Sequence, residues 1–361
     1  MIQAVQLRIY TVCNSKKTKG DDNPAQHVPF WYPESRTYLN SKGEPNMKKI
    51  LLVLACLMLL LTSLTALAET TYLGISTGGT AGTYYPLGGE IAALWMKHIA
   101  DLDVSVASSG GSKDNILKMN NSEADLGLVQ NDVMYYAYQG DQDFFAGEVI
   151  DSFVAIGSLY PELVQVVVAA ESDILTIADL KGKNVSVGAV GSGVYFNAVQ
   201  LLGEAGLTLE DIKPQHLSFD ESATSFQNRQ LDAFFVTAGL PNPAIMDVAS
   251  KREVRLIGLE EAQMTALQEK YAFYVPVVVP ADSYNGLKEN VTVPAMNAVL
   301  ICKKELSEDL VYQMTKVLFE LKDEMTHAKK EFISAEFAVQ GIPVPFHPGA
   351  ERYFKEIGLL P

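Results

Sequence analysis

From Tyr72 onward, apolar residues recur along the chain at two spacings that take turns. Tyr72 to Ser76 is a short apolar run ended by a glycine-rich turn, which predicts a buried strand, and behind it Leu87, Ile91, Trp95 and Ile99 recur at helical spacing. Val104 to Ala107 predicts a second strand, Ser112 is the expected cap of a helix carrying Ile116 and Met119, and Leu126 to Val129 predicts a third strand ending at Gln130. Strand followed by helix, repeated, predicts an α/β chain with mostly parallel sheets flanked by helices.

A second series of the same kind follows Leu163 to Ala170. Thr176 and Asp179 stand at capping-box spacing, then come a strand at Asn184 to Val187 and a new glycine turn. Gly82-Thr83-Tyr84-Tyr85 is echoed by Gly193-Val194-Tyr195-Phe196, and Ala124-Asp125-Leu126 by Leu231-Asp232-Ala233. Such internal symmetry predicts twin lobes with a cleft between them. The apolar strand Ala298 to Cys302 and the helices after Ser307 read as a return to the first lobe. Lobe I is therefore expected over 69–162 and 283–361 and lobe II over 163–282, with crossings near 161–165 and 280–297.

Ahead of this pattern, Met47-Lys48-Lys49 precedes a nearly unbroken apolar run from Ile50 to Leu67, and Ala66-Leu67-Ala68 supplies the small residues of a cleavage site. Residues 47–68 are read as an export signal, so the mature chain is expected to begin at Glu69, to be periplasmic and not to insert in a membrane after cleavage. A transmembrane anchor would need about 20 apolar residues, and Thr62, Ser63 and Thr65 interrupt this run; lipid attachment at Cys56 is disfavoured by bulky Leu54. Residues 1–46 are expected to be an untranslated or disordered leader, since Lys42-Gly43-Glu44 can be encoded by a ribosome-binding sequence just upstream of Met47.

Residues 1–68 hold 8 of the 28 basic and 4 of the 43 acidic residues, which leaves 20 against 39 and a formal charge of −19. A surface this acidic disfavours nucleic acid. Cys13 and Cys56 fall in the removed part, so Cys302 stands alone and no intrachain disulfide is expected in an oxidising compartment.

The candidate chemistry lies in three turns. Thr77-Gly78-Gly79-Thr80-Ala81-Gly82-Thr83 and Ser108-Ser109-Gly110-Gly111-Ser112 each join a strand to a helix, and Gly191-Ser192-Gly193 does so in the second series. Glycine there lets a ligand approach the backbone while the helix start directs N–H groups at it, an arrangement suited to an anion. Ligands of open α/β sheets bind beyond the strands' carboxyl ends, so Gly79, Thr80, Gly82, Thr83, Ser109, Gly110, Ser112, Gln130, Ser192, Gly193 and Thr237 are expected at the cleft, with Tyr84 and Tyr195 offering a hydroxyl or ring face. No arginine lies in a glycine turn, so backbone N–H groups and hydroxyls are expected to hold a carboxylate. An enzyme is not indicated: there is no GxxxxGK[ST], GxGxxG or GxSxG string at these turns, the histidines at 98, 216, 327 and 347 are widely spaced, and Lys113 is the one basic residue inside a motif. No metal and no cofactor are expected.

Six strings in order, LGISTGGTAGTYYPLGG, SGGSKDN, ADLGLVQND, LDAFFVTAG, EDLVYQMTKVLFE and IPVPFHPGAERYFKE, resemble the TAXI-type solute receptors of tripartite ATP-independent periplasmic (TRAP) transporters, over about Tyr72 to Gly358. The resemblance implies a type II periplasmic-binding-protein fold, no catalysis, membrane transporter subunits as partners, and a small carboxylated ligand such as glutamate, glutamine or 2-oxoglutarate. Carried over by position, ligand contacts would lie on Thr77 to Tyr84, Ser109 to Ser112, Gln130, Gly191 to Tyr195 and near Thr237. Leu240 and Val194 depart from the expected pattern beside the pocket. The rival reading is a periplasmic sensor that presents the same metabolite to a membrane receptor.

Overall fold

The computed structural model describes residues 70–361; the expected leader and export signal lie outside the described residues. The first series folds as β1 (Thr71–Ser76), α1 (Tyr84–His98), β2 (Leu102–Ala107), α2 (Ser112–Asn120), β3 (Leu126–Gln130), α3 (Asn131–Gln139) and the short α4 (Gln142–Phe145). The stripe that predicted α1 is what it buries, with Leu87, Ile91 and Trp95 all at 0% exposure. Ser112 differs from its expected role. The N-cap of α2 is Gly111, and the Ser112 hydroxyl instead accepts the Gln130 N–H at 3.1 Å, which pins the helix start to the end of β3.

A long strand, β4 (Phe153–Ala169), leads into the second series: β5 (Asn184–Ser186), α5 (Gly193–Glu204), β6 (Lys213–Gln215), α6 (Phe219–Gln227), β7 (Ala233–Ala238), α7 (Pro243–Lys251), β8 (Val254–Ile257), α8 (Glu261–Lys270) and β9 (Val275–Val279). A second long strand, β10 (Val291–Lys303), returns to the first lobe, where α9 (Glu308–Leu321), α10 (Ala335–Ala338) and α11 (Pro348–Glu356) complete the chain.

The strands form one sheet in the order β2-β1-β3-β10-β4-β7-β5-β6, with β8 added on β4 and β9 on β10. Its halves repeat one plan. Three parallel strands stand in the order second, first, third, and are closed by an antiparallel strand borrowed from the other end of the molecule, β10 in one half and β4 in the other. This is the type II periplasmic-binding-protein arrangement. The sheet is more mixed than strand–helix alternation predicts, because β4 and β10 pair antiparallel with each other and with every neighbour they have. Alternation reads only the strands within βαβ units and is blind to two strands that pass through both lobes.

The cores change along those two strands. On β4, Val154 to Tyr160 pack in the first lobe and Leu163 to Ala169 in the second; on β10, Val293 to Met296 pack in the second and Ala298 to Cys302 in the first. Tyr284 and Leu287 also pack in the second lobe, past the position 283 at which the return was expected. The echoed Asp125 and Asp232 hold equivalent places. Asp125 Oδ2 accepts the Gly74 N–H on β1 at 2.9 Å, and Asp232 Oδ2 accepts the Asn184 N–H at the start of β5 at 2.7 Å.

Candidate functional site

The parallel strands of both halves end toward the junction of the lobes, and the helices that follow them begin there. Four helix starts meet around one cavity: α1 after the turn at Gly78 to Thr83, α2 after Ser109 to Gly111, α5 after Ser192, and α6 after Ser218. Each start leaves backbone N–H groups without a partner inside its helix, and their partial positive charge favours an anion. The cavity has a volume of about 80 Å³, room for roughly six waters at 10–15 Å³ each, which is small-molecule size.

Of the residues expected at the cleft, Gly79, Gly82, Thr83, Tyr84, Ser109, Gly110, Ser112, Gln130, Ser192, Gly193 and Thr237 line this cavity. Two do not. The Gly82 N–H closes a tight turn on the Gly79 carbonyl at 2.9 Å, and Thr80 lies exposed at the tip of that turn. Tyr195 lines a separate outer cavity with Lys113, Phe144 and His216. The sequence echo that paired it with Tyr84 slips by two places: Tyr84 is the first residue of α1 and Tyr195 the third of α5. Two residues turn a helix by about 200°, so the second tyrosine faces the other way. Lys113 is also displaced from the main cavity, its ammonium bonded to the Phe144 carbonyl. Val194 lines the cavity, whereas Leu240 packs against the core of the second lobe.

Close approach explains the glycines. A Cβ on Gly193 would stand 1.9 Å from Gln130 Oε1, and Gly111 has φ +113° with its Cβ position 3.3 Å from Ser192 Cα. Both are contacts from one lobe to the other. The lobes also meet through hydrogen bonds from the Asp114 N–H to the Gly191 carbonyl (3.1 Å) and from the Gly239 N–H to Thr83 Oγ1 (3.2 Å). Behind Gln130, Asn197 of α5 forms the centre of a buried polar cluster. Its Oδ1 accepts from Gln130 Nε2 (2.9 Å) and Thr237 Oγ1 (2.8 Å), and its Nδ2 donates to Asp132 Oδ2 (3.0 Å). Burial pushes the Asp132 carboxyl up to about 7 against the hydrogen bonds that favour its charge.

Pattern reading missed a carboxyl group in the cavity wall. Glu162, 2% exposed, lies in the middle of β4 and lines the cavity. Its Oε2 accepts the Tyr84 hydroxyl at 2.6 Å and its Oε1 the Tyr160 hydroxyl at 3.0 Å. Burial is the largest influence on it and lifts its carboxyl to about 8, although both tyrosines pull the other way. The signal was legible as the one charged residue in the mostly apolar run 153–169. Ser218 and Phe219 were also missed, although Ser218 and Glu221 form a capping box that marks the start of α6.

Fold and cavity together define a two-lobed α/β protein of the solute-binding-protein type, with a small-molecule-sized cavity where the lobes meet. The chain belongs to the NMT1-like family, whose model matches residues 75–358. Among solved structures it is similar to the alkanesulfonate-binding protein SsuA from Xanthomonas axonopodis pv. citri bound to MOPS, with 16% identity over 80% of this chain and 84% of that one and a TM-score of 0.45. It is also similar to the substrate binding protein of an amino acid ABC transporter (13%, 72% and 96%, 0.43) and to the GluR0 ligand-binding core from Nostoc punctiforme in complex with (L)-glutamate (14%, 70% and 93%, 0.41). These are similarities of chain path.

Proposed function

We propose that the protein is an extracytoplasmic solute receptor that captures a small carboxylated metabolite between its lobes and delivers it to the membrane subunits of a TRAP-type transporter. The observation that carries this reading is the convergence of four helix starts from both lobes on one cavity of metabolite size. A carboxylate there would be held by backbone N–H groups and by hydroxyls such as Thr83, Ser112 and Ser192, since neither lysine nor arginine lines the cavity. The TAXI-like strings support the transporter assignment. No chemical step is part of this function. Among the described residues no helix is long and apolar enough to cross a membrane, so movement across the bilayer would fall to other subunits.

Capture and signal are one event in this reading. A ligand that touches both lobes binds the closed form more tightly than the open one and shifts the population toward it, and the transporter reads closure. The test is a thermal-shift screen of the ligand-stripped mature protein against amino acids, 2-oxo acids and C4 to C6 dicarboxylates. Saturating the native state should raise the melting temperature with one of them, by an amount equivalent to about 2.7 kcal/mol at one hundred times Kd. No shift across the panel refutes the assigned ligand class.

A further inference from the structure

The outer cavity, about 160 Å³ in volume, is larger than the first and is divided from it by a thin wall. The wall forms where residues 109–114 of the first lobe meet 189–193 of the second. The Asp114 N–H donates to the Gly191 carbonyl at 3.1 Å, and a Cβ on Gly110 would stand 2.6 Å from the Val190 carbonyl oxygen. Ser192 alone belongs to both linings. The outer lining draws Lys113, Asp143 and Phe144 from the first lobe and Tyr195, Phe196 and His216 from the second. Capture in the first cavity uses none of these six side chains.

Their chemistry is that of a small aromatic anion site. Phe144 and Phe196 stack across the lobes with ring centroids 4.0 Å apart, and the Tyr195 and His216 rings lie 5.6 Å apart, so a flat ring entering this space meets aromatic faces and edges. The volume sets the ring count, since a cavity of about 150 Å³ takes one benzene-sized ring. Lys113 supplies the charge. Its ammonium donates to the Phe144 carbonyl at 2.5 Å and, among the described residues, pairs with no carboxylate; an ammonium has three donors, so about two remain for a ligand. Among the described residues the Tyr195 hydroxyl also has no hydrogen-bond partner. Asp143 is the one acid in the lining, and its charge opposes a second negative charge on the occupant. A monoanion is favoured over a dianion.

We propose that the outer cavity is a second binding site, for a single-ring aromatic monocarboxylate, and that its occupant is an effector of the first cavity. Its walls come from both lobes, so an occupant stabilises the same approach of the lobes that encloses a solute in the first cavity. Each ligand then tightens the other by one common factor. That coupling rests on the receptor reading; the outer site does not.

The probe is benzoate, titrated into the ligand-stripped protein by calorimetry and by ligand-detected NMR, beside benzamide, benzylammonium and acetate, which in turn remove the charge, reverse it and remove the ring. Benzoate should bind at least about tenfold more tightly than each, the scale of one hydrogen bond to a charged group. Lys113→Met keeps the side-chain stem without the charge; it should weaken benzoate by about tenfold and erase its advantage over benzamide. His216 is exposed, so His216→Ala should leave the fold intact and weaken benzoate by about threefold through loss of one ring face. With the first cavity saturated by the acid that raises the melting temperature, benzoate should bind about fivefold or more tightly than without it. No benzoate binding up to about 10 mM, benzamide binding as tightly, or a folded Lys113→Met variant with full benzoate affinity would each overturn the site. Displacement of benzoate by the saturating acid would place it in the first cavity and overturn the site as well. Unchanged benzoate affinity at saturation would overturn the effector role. A protein that binds benzoate as predicted and no acid of the thermal-shift panel would keep the outer site and lose the receptor reading.

Discussion

Glu162 and Gly193 show how much of the site rests on single residues. The Glu162 carboxyl titrates at about 8 in the fold and Asp132 at about 7, whereas in the unfolded chain both titrate near their ordinary values, about 4.5 and 3.8. Across that window the native state therefore binds more protons than the unfolded state, so stability falls as pH rises from about 5 to about 8 and levels off above. Each group can contribute a slope of up to about 1.4 kcal/mol per pH unit. Denaturant melts of the ligand-free protein should show this decline, and Glu162→Gln should make it shallower; a flat wild-type profile would mean that neither carboxyl is held protonated. Gly193 answers to a steric test. Its Cβ position lies 1.9 Å from Gln130 Oε1, so Gly193→Ala forces the carboxamide or the lobe contact to shift. Overpacking of this kind costs about 1–3 kcal/mol and should weaken ligand binding in calorimetry together with stability.

At the scale of elements, the repeat gives a paired prediction. Asp125 and Asp232 accept backbone N–H groups of β1 and β5 from matching places. Asp125→Ala and Asp232→Ala should each cost about 1–3 kcal/mol in urea melts, by leaving a backbone donor unsatisfied; a large effect at one and none at the other would show that the echo is only textual. The helix starts explain what could be read in advance. A glycine turn after a strand marks both a helix start and a strand's carboxyl end, so eleven of the expected residues fall at one cavity. Thr80 and Tyr195 escaped because a motif gives the position of a residue and not the direction of its side chain. One lies at the tip of a turn and the other two places too far around a helix. Tyr84→Phe should accordingly reduce ligand affinity, by losing the hydroxyl that positions Glu162, while Tyr195→Phe should leave it unchanged within about twofold; the reverse ranking would move the site outward.

For the whole molecule, the twin-lobe plan was legible because each lobe is built from local βαβ units that repeat in sequence. What was not legible is the way β4 and β10 thread both lobes, since no periodicity distinguishes the end of one lobe from the start of the next within a continuous apolar strand. The consequence is functional. Glu162 lies where the core of β4 changes from the first lobe to the second, between Tyr160 and Leu163, so a ligand that touches it acts on the segment joining the lobes. On the proposed function, the contacts from Asp114 to Gly191 and from Gly239 to Thr83 are those a bound ligand would favour by closing the lobes.

The most direct test of this account is small-angle X-ray scattering of the ligand-stripped protein, alone and saturated with the acid that raises its melting temperature. The account predicts a smaller radius of gyration and a more compact distance distribution in the saturated protein, with Gly193→Ala blunting the change. An unchanged radius at proven saturation would contradict closure of the lobes on a captured solute.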